Sequence, residues 1–269
     1  MKKKEEQAKI RTNKKKWITL GIGATLLVVG VILTVVTRSG ALAEEAATGA
    51  KVPFALGLIM ILLGVVIPLT GAMPEKHNTD VRTLSLAALF AALCYIGFTY
   101  CKIDIPVGME KTAFHLGNVF CVLAALFLGG MWGGMAGAVG MTIADLTTAY
   151  VTSAPKTFLL KLCIGLITGF VAHEVFKLSQ DKEGRKVPLT AATAISCAAG
   201  MGFNIVADPL VGYFYKMYVL GVPQEAATIW AKIGAVTTSV NAVVAVVAAT
   251  VLYMALRKAM KRSNLLPKL

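Results

Sequence analysis

Eight apolar runs, each near the roughly 20 residues that a helix needs to cross the hydrocarbon of a bilayer, divide this sequence almost end to end. They cover approximately residues 17–37, 53–73, 82–100, 113–130, 132–150, 157–177, 188–208 and 228–256. A segment in lipid must satisfy its own backbone donors and acceptors, so each run is expected to be a transmembrane α-helix. Pro74, Pro106, the stretch Gly129-Gly130-Met131-Trp132-Gly133-Gly134, Pro155, Pro188, Pro209 and Pro223 stand between runs as expected breaks. With 57% hydrophobic and only 15% charged residues there is too little polar surface to clothe a soluble particle. The fold class expected is all-α integral membrane.

The net charge of +13 would suggest a nucleic-acid partner in a soluble chain, but its placement points elsewhere. Nineteen Lys/Arg fall on one set of alternate segments: eight before Trp17, then Lys76 and Arg82, four from Lys177 to Lys186, and five after Leu256. Six fall on the other: Arg38, Lys51, Lys102, Lys111, Lys156 and Lys216. Positive residues stay inside, so both termini are expected in the cytoplasm of a multi-pass cell-membrane protein, with no nucleic acid involved. A secretory signal ending near Ala41-Leu42-Ala43 is the alternative for the first run, which is longer than a signal core of roughly 7 to 15 residues. The five cysteines show no close pairing and read as small hydrophobes.

A boundary is expected near residue 80. The first two runs carry no ionisable residue between Ile18 and Val36 or between Val52 and Met73, which suits an N-terminal basic tail and two-helix transmembrane hairpin over 1–80. Gly57, Gly64 and Gly71 recur there at a spacing that favours close helix packing. Residues 81–269 hold the intramembrane polar groups and a basic cytoplasmic tail.

Polar groups are costly in a membrane, so their depth is informative. His115 and Asn118 enter the fourth run from outside, three residues apart on one helical face. Asp145 ends the fifth run, Lys156 and Lys161 open the sixth, Asn204 and Asp208 close the seventh as an i, i+4 pair, and Lys232 opens the eighth. All lie in the outer half, while the inner halves are nearly free of charge. This describes a cup open to the outside for a small polar molecule rather than a proton wire or a pore. The blander reading is that Asp145 pairs with Lys161 while Lys156 and Lys232 snorkel to the headgroups. Asn241 lies nine residues beyond Lys232, about 180° around the helix, so it ranks below the other candidates and could bond a neighbouring helix.

No catalytic constellation has a plausible common face, the P-loop pattern is missing, and His173-Glu174 lacks the second histidine of a zinc motif. Neither an enzyme nor a metal or cofactor is expected. Gly129, Gly133 and Gly137, with Gly130, Gly134 and Ala136 to Gly140, form a small-residue ladder expected to pack the fourth and fifth runs together. The pairs Ala87/Ala91 and Ala88/Ala92 could pack either internally or against a partner helix.

Several stretches together resemble the substrate-binding S components of energy-coupling factor (ECF) vitamin transporters. They are Phe114-His115-Leu116-Gly117-Asn118, Leu123 through Gly130, Gly137 through Ala144-Asp145-Leu146, and Ala154-Pro155-Lys156-Thr157-Phe158 with Lys161. The resemblance covers about residues 81–258. It implies a six-helix bundle that binds a vitamin or related micronutrient at its outer side, preceded here by the extra hairpin. It further implies partners, a transmembrane coupling subunit and two cytoplasmic ATPases, with Ala87, Ala88, Ala91 and Ala92 matching the docking motif. The loop from Cys101 to Thr112 would be a lid. The candidate substrate-binding set is thus His115, Asn118, Asp145, Lys161, Asn204, Asp208, Lys232 and Asn241. A self-sufficient secondary transporter is the alternative, although no inverted repeat is visible; a membrane enzyme or scaffold ranks below it.

Overall fold

The computed structural model of the chain describes residues 18–32, 64, 80–108, 110–179, 187–263 and 265. The second apolar run apart from Gly64, the N-terminal basic tail and most of the basic loop 177–186 lie outside the described residues. The chain divides into two compact units, one of residues 1–74 with Phe214–Val222, the other of residues 75–213 and 223–269. In the first unit, helix α1 (Ile18–Ile32) meets Gly64 so closely that a Cβ there would lie 2.6 Å from Leu27 Cγ and 2.8 Å from the Gly23 carbonyl oxygen. Gly64 therefore packs as the glycine heptad suggests, while Gly57 and Gly71 lie outside the described residues.

The second unit begins with α2 (Val81–Thr99), β1 (Lys102–Val107) and β2 (Glu110–His115), followed by α3 (Gly117–Leu128) and α4 (Gly130–Leu146). A 3-10 turn, Val151–Ser153, leads into α5 (Ala154–Phe170), which runs on through a π turn, Val171–Val175. Then come α6 (Leu189–Phe214) and α7 (Gln224–Arg262). Among the described residues, four helical stretches are long and apolar enough to cross a membrane: Val81–Thr99, Val151–Val175, Leu189–Val219 and Gln224–Arg262.

Three expectations change. The fourth run does not enter as a helix at residue 113, because Glu110–His115 pairs antiparallel with Lys102–Val107 in a hairpin, Lys102 opposite His115 and Asp104 opposite Ala113. The segment Ile103-Asp104-Ile105-Pro106-Val107 alternates in character as a strand does, and Gly108 at φ +60° makes the turn. Pro106 is tolerated because β1 has only one strand neighbour and so keeps an edge that needs no donor. The helix that follows is only 12 residues, about 18 Å long, and eleven of the twelve are buried, so α3 is apolar all round because it is enclosed all round.

Pro209, second, does not end the seventh run: it lies inside α6, which continues to Phe214. A proline there removes one backbone bond, a loss that packed intramembrane helices accommodate. Pro155 at the start of α5 and Pro223 at the N-cap of α7 do mark beginnings. Third, Cys94, Cys121, Cys163 and Cys197 are buried as small hydrophobes, but Cys101 is exposed beside the hairpin.

The small-residue ladder sets the packing around α4. Gly129, at φ +83°, turns the chain straight from α3 into α4, a conformation that side chains resist. A Cβ at Gly133 would strike the Ala125 backbone and one at Gly137 the Cys121 side chain, so both glycines seat α4 on α3. One at Gly134 would sit 2.9 Å from the Leu162 carbonyl oxygen, and Gly165 and Gly169 of α5 return the contact against the Gly134 and Gly130 backbones. Gly140 does the same against Ala91 of α2. Gly165→Ala is therefore expected to force two backbones apart and cost about 1 to 3 kcal/mol. A lowered midpoint of unfolding in detergent would register this, whereas a wild-type midpoint would mean the helices can separate freely.

Candidate functional site

The hairpin caps one end of the helices, and under it polar side chains from every neighbouring element collect. Asp208, near the end of α6, ties three helices together: Lys156 Nζ of α5 donates to its Oδ1 at 2.8 Å, and Thr238 Oγ1 of α7 donates to its Oδ2 at 2.9 Å. The Lys156–Asp208 pair is largely shielded, with side-chain exposures of 16% and 24%. Asp145 at the end of α4 is hydrogen-bonded by the Thr157 hydroxyl of α5. Lys161, one turn further along α5, is buried, and the carboxylates whose fields reach it are Asp208 and then Asp145.

The expected Asp145–Lys161 pair does not form. Asp145 bonds Thr157 instead, and no ion pair within 4.0 Å among the described residues includes Lys161. Lys156 does not snorkel away but is held by Asp208. Several groups are left buried without a protein partner: Asn118 Oδ1, Asp145 Oδ2, Asn204 Oδ1 and His115 Nδ1. Asn118, Asp145 and Asn204 are each at most 2% exposed. A buried polar atom without a partner costs about 1 to 3 kcal/mol, and these four stand at the hairpin end of their elements.

Levels along the helices agree with this grouping. Gly200 of α6 rests against Thr168 and Ile164 of α5, which brings Asn204, one turn on, towards the level of Lys161. Cys121 Sγ donates to the Lys161 carbonyl at 3.8 Å and touches Gly137, so Asn118 and Asp145 lie from there towards the hairpin. His115 belongs to the same group through β2 rather than through the helical face shared with Asn118 that the spacing suggested. Its ring stacks edge-on against Phe98 at 4.7 Å.

Two candidates are placed differently. Asn241 is buried but already engaged: its Nδ2 donates to the Ala113 carbonyl and its Oδ1 accepts from the His115 N–H, both at 3.0 Å. It bonds a strand rather than a helix, and so ties the hairpin to α7. Lys232 is exposed on the face of α7 that carries Val236, Val240 and Val243, away from buried Thr237, Thr238 and Asn241, so it does not join the group. The 180° separation from Asn241 in the sequence is resolved in favour of Asn241. Among the alanines, Ala87 is core and Ala91 meets Gly140, so neither is free for a partner; Ala88 and Ala92 face outward.

Sequence reading does not single out Thr157, Thr238 or the Thr112–Thr237 contact at 3.2 Å. Threonine is nearly neutral in hydropathy and hides in an apolar run. The usable signal was position, since Thr237 and Thr238 lie one turn before Asn241 and share its face. The hairpin's outer side holds a second missed cluster. Tyr150, between α4 and the 3-10 turn, donates its hydroxyl to Asp104 Oδ1 at 2.9 Å, and Lys102 Nζ lies 4.9 Å from the Tyr150 ring centre and 3.4 Å from Asp104. Burial, then the Asp104 carboxylate, pushes the Tyr150 phenol above its ordinary range, so it remains a donor at any physiological pH. At the opposite end, His173 contacts the Ala125 carbonyl at 3.2 Å, and no metal-binding group occurs among the described residues.

Helices able to cross a bilayer, with buried polar side chains at one end, define a polytopic membrane protein. The model of the family described as ECF-type riboflavin transporter, S component, matches residues 78–258, and the chain belongs to that family. It is a multi-pass transporter component of vitamin uptake, not an enzyme. No curated protein and no solved structure matches the chain.

Proposed function

We propose that this chain is the capture subunit of an ECF-type importer and that it takes riboflavin or a closely related flavin in the cup beneath the hairpin. The supporting observation is that Asn118 Oδ1, Asp145 Oδ2 and Asn204 Oδ1 are buried and unpartnered and, like the buried Lys161, stand on the hairpin-side halves of their helices. A flavin presents an imide edge of alternating carbonyl and N–H groups, and primary amides offer the matching donor and acceptor. His115, Asn118, Asp145, Lys161 and Asn204 are the contact residues in this reading, while Asp208 and Asn241 hold the frame.

The cup faces outward. Lys102, Lys111 and Lys156 lie at the hairpin end, against Lys177 and the basic end of α7 opposite, and the whole-sequence bias of nineteen Lys/Arg against six supports a cytoplasmic position for both termini. The family match begins at residue 78, which supports reading residues 1–80 as an appendage to a six-helix capture core over 81–269. Mass spectrometry of the small molecule that co-purifies with the full chain, with a riboflavin titration of stripped protein, tests the ligand. A one-to-one flavin complex is expected; protein that carries no flavin and gives no binding signal would refute the assignment.

Passage inward requires the coupling subunit and its two ATPases, which dock on the outward face of α2 at Ala88 and Ala92. Leucine at either position adds bulk where helix backbones must approach, and association in lipid rests on such packing. Ala88→Leu and Ala92→Leu are expected to retain flavin binding and lose about tenfold or more of cellular uptake, together with recovery of the coupling subunit. Full uptake and normal assembly by both variants would remove Ala88 and Ala92 from the docking face.

A further inference from the structure

The hairpin is attached on its two sides by unlike means. On the β2 side the attachment is buried: the Asn241 amide bonds the Ala113 carbonyl and the His115 N–H, two residues apart on one strand, as a third strand would. Thr112 and Thr237 add a hydroxyl pair at 3.2 Å. On the β1 side the strand is more open, with Ile103 at 70% exposure and Asp104 exposed. Its side-chain ties are Tyr150 to Asp104 and Lys102 to Asp104, with Lys102 lying over the Tyr150 and Phe98 rings at 4.9 and 5.7 Å. Phe98 in turn packs edge-on against both Tyr150 and His115, at 5.4 and 4.7 Å, so the exposed cluster connects directly to the roof of the cup.

We infer that Tyr150 and Asp104 are positioning residues for ligand exchange: they latch the β1 side of the hairpin, which swings on the Asn241 attachment of β2. A single hydrogen bond at a water-accessible edge is weak enough to break often and strong enough to bias the closed form several-fold. A buried amide that satisfies two strand groups at once is a poor place to open, because both groups would be left without partners. The ligand need not touch Tyr150 for this. The inference rests on the reading of the cup as the ligand site, and the latch itself can be tested without any ligand.

Hydrogen exchange on the ligand-free full chain in detergent is the first arm. Tyr150→Phe keeps the ring packing and removes only the hydroxyl, so amides of residues 102–107 and 110–115 are expected to exchange about three- to tenfold faster, with α3 and α4 unchanged. Asp104→Ala should do the same, and the double variant should add little to either single one. Wild-type exchange in the hairpin, or faster exchange throughout the helices, overturns the latch. The second arm is stopped-flow binding of riboflavin. Association and dissociation should both rise about three- to tenfold while Kd stays within about twofold, because the latch acts on the free and bound forms alike. A dissociation rate that rises alone, with Kd weakened in proportion, would make Tyr150 a ligand contact and overturn the inference. If wild-type protein does not bind riboflavin, the proposed function fails and the exchange arm still decides the latch.

Discussion

Replacing Asn204 with leucine is expected to leave the ligand-free protein as stable as wild type, or more stable, and to weaken riboflavin binding about 10- to 100-fold. The two effects have one origin. Asn204 is 1% exposed and its Oδ1 has no protein partner, so the free protein carries an unsatisfied acceptor that a near-isosteric leucine removes. With ligand bound the balance reverses, since a donor on the flavin that met Oδ1 would now be buried against a methyl group. Thermal unfolding with and without riboflavin reads both sides. A variant that loses ligand-free stability and keeps its affinity would place Asn204 in the packing and outside the site.

Asp208→Ala should produce the largest loss of stability, about 3 to 5 kcal/mol, because it strands cations in a shielded position rather than removing a surface pair. Lys156 Nζ loses its 2.8 Å partner, Thr238 loses its acceptor, and Lys161 loses the stronger of the two carboxylates whose fields reach it. Truncating both partners should do less damage than truncating one. The double variant Lys156→Met with Asp208→Leu leaves no unpaired charge at that bridge, and is expected to recover most of the midpoint of unfolding in detergent. An Asp208→Ala protein that unfolds at the wild-type midpoint would show that the three helices hold together without this bridge.

Among these expectations, those read from segment character fared differently from those read from neighbours. Asn204 and Asp208 were recognisable as an i, i+4 pair, and they do share the polar end of α6, but their roles separate: Asp208 is consumed by Lys156 and Thr238, whereas Asn204 Oδ1 stays free. Lys232 looked equally good because depth in a run says nothing about direction around the helix, and α7 turns it outward with the valines. Asn241 ranks low for the same reason, yet it ties the hairpin to α7 through bonds to residues 126 and 128 positions away. The alanine pairs were indistinguishable in sequence, yet a helical offset of one residue, about 100°, puts Ala87 and Ala91 inside and Ala88 and Ala92 outside.

What the chain's order of residues determines is therefore what each segment must solve by itself. Backbone groups in lipid demand helices, cations prefer the cytoplasmic side, and small residues every fourth position invite close packing, all of which depend on composition and spacing within some 20 residues. The hairpin, the continuation of α6 through Pro209, the Lys156–Asp208 bridge and the unpartnered set beneath Asn241 depend on which helix faces which. Part of that is set by the packing of α4 against α2, α3 and α5, where a Cβ at Gly133, Gly134 or Gly140 would strike a neighbouring backbone and one at Gly137 the Cys121 side chain. Hydropathy is a property of a segment, and a binding site is a property of the gaps left when segments pack.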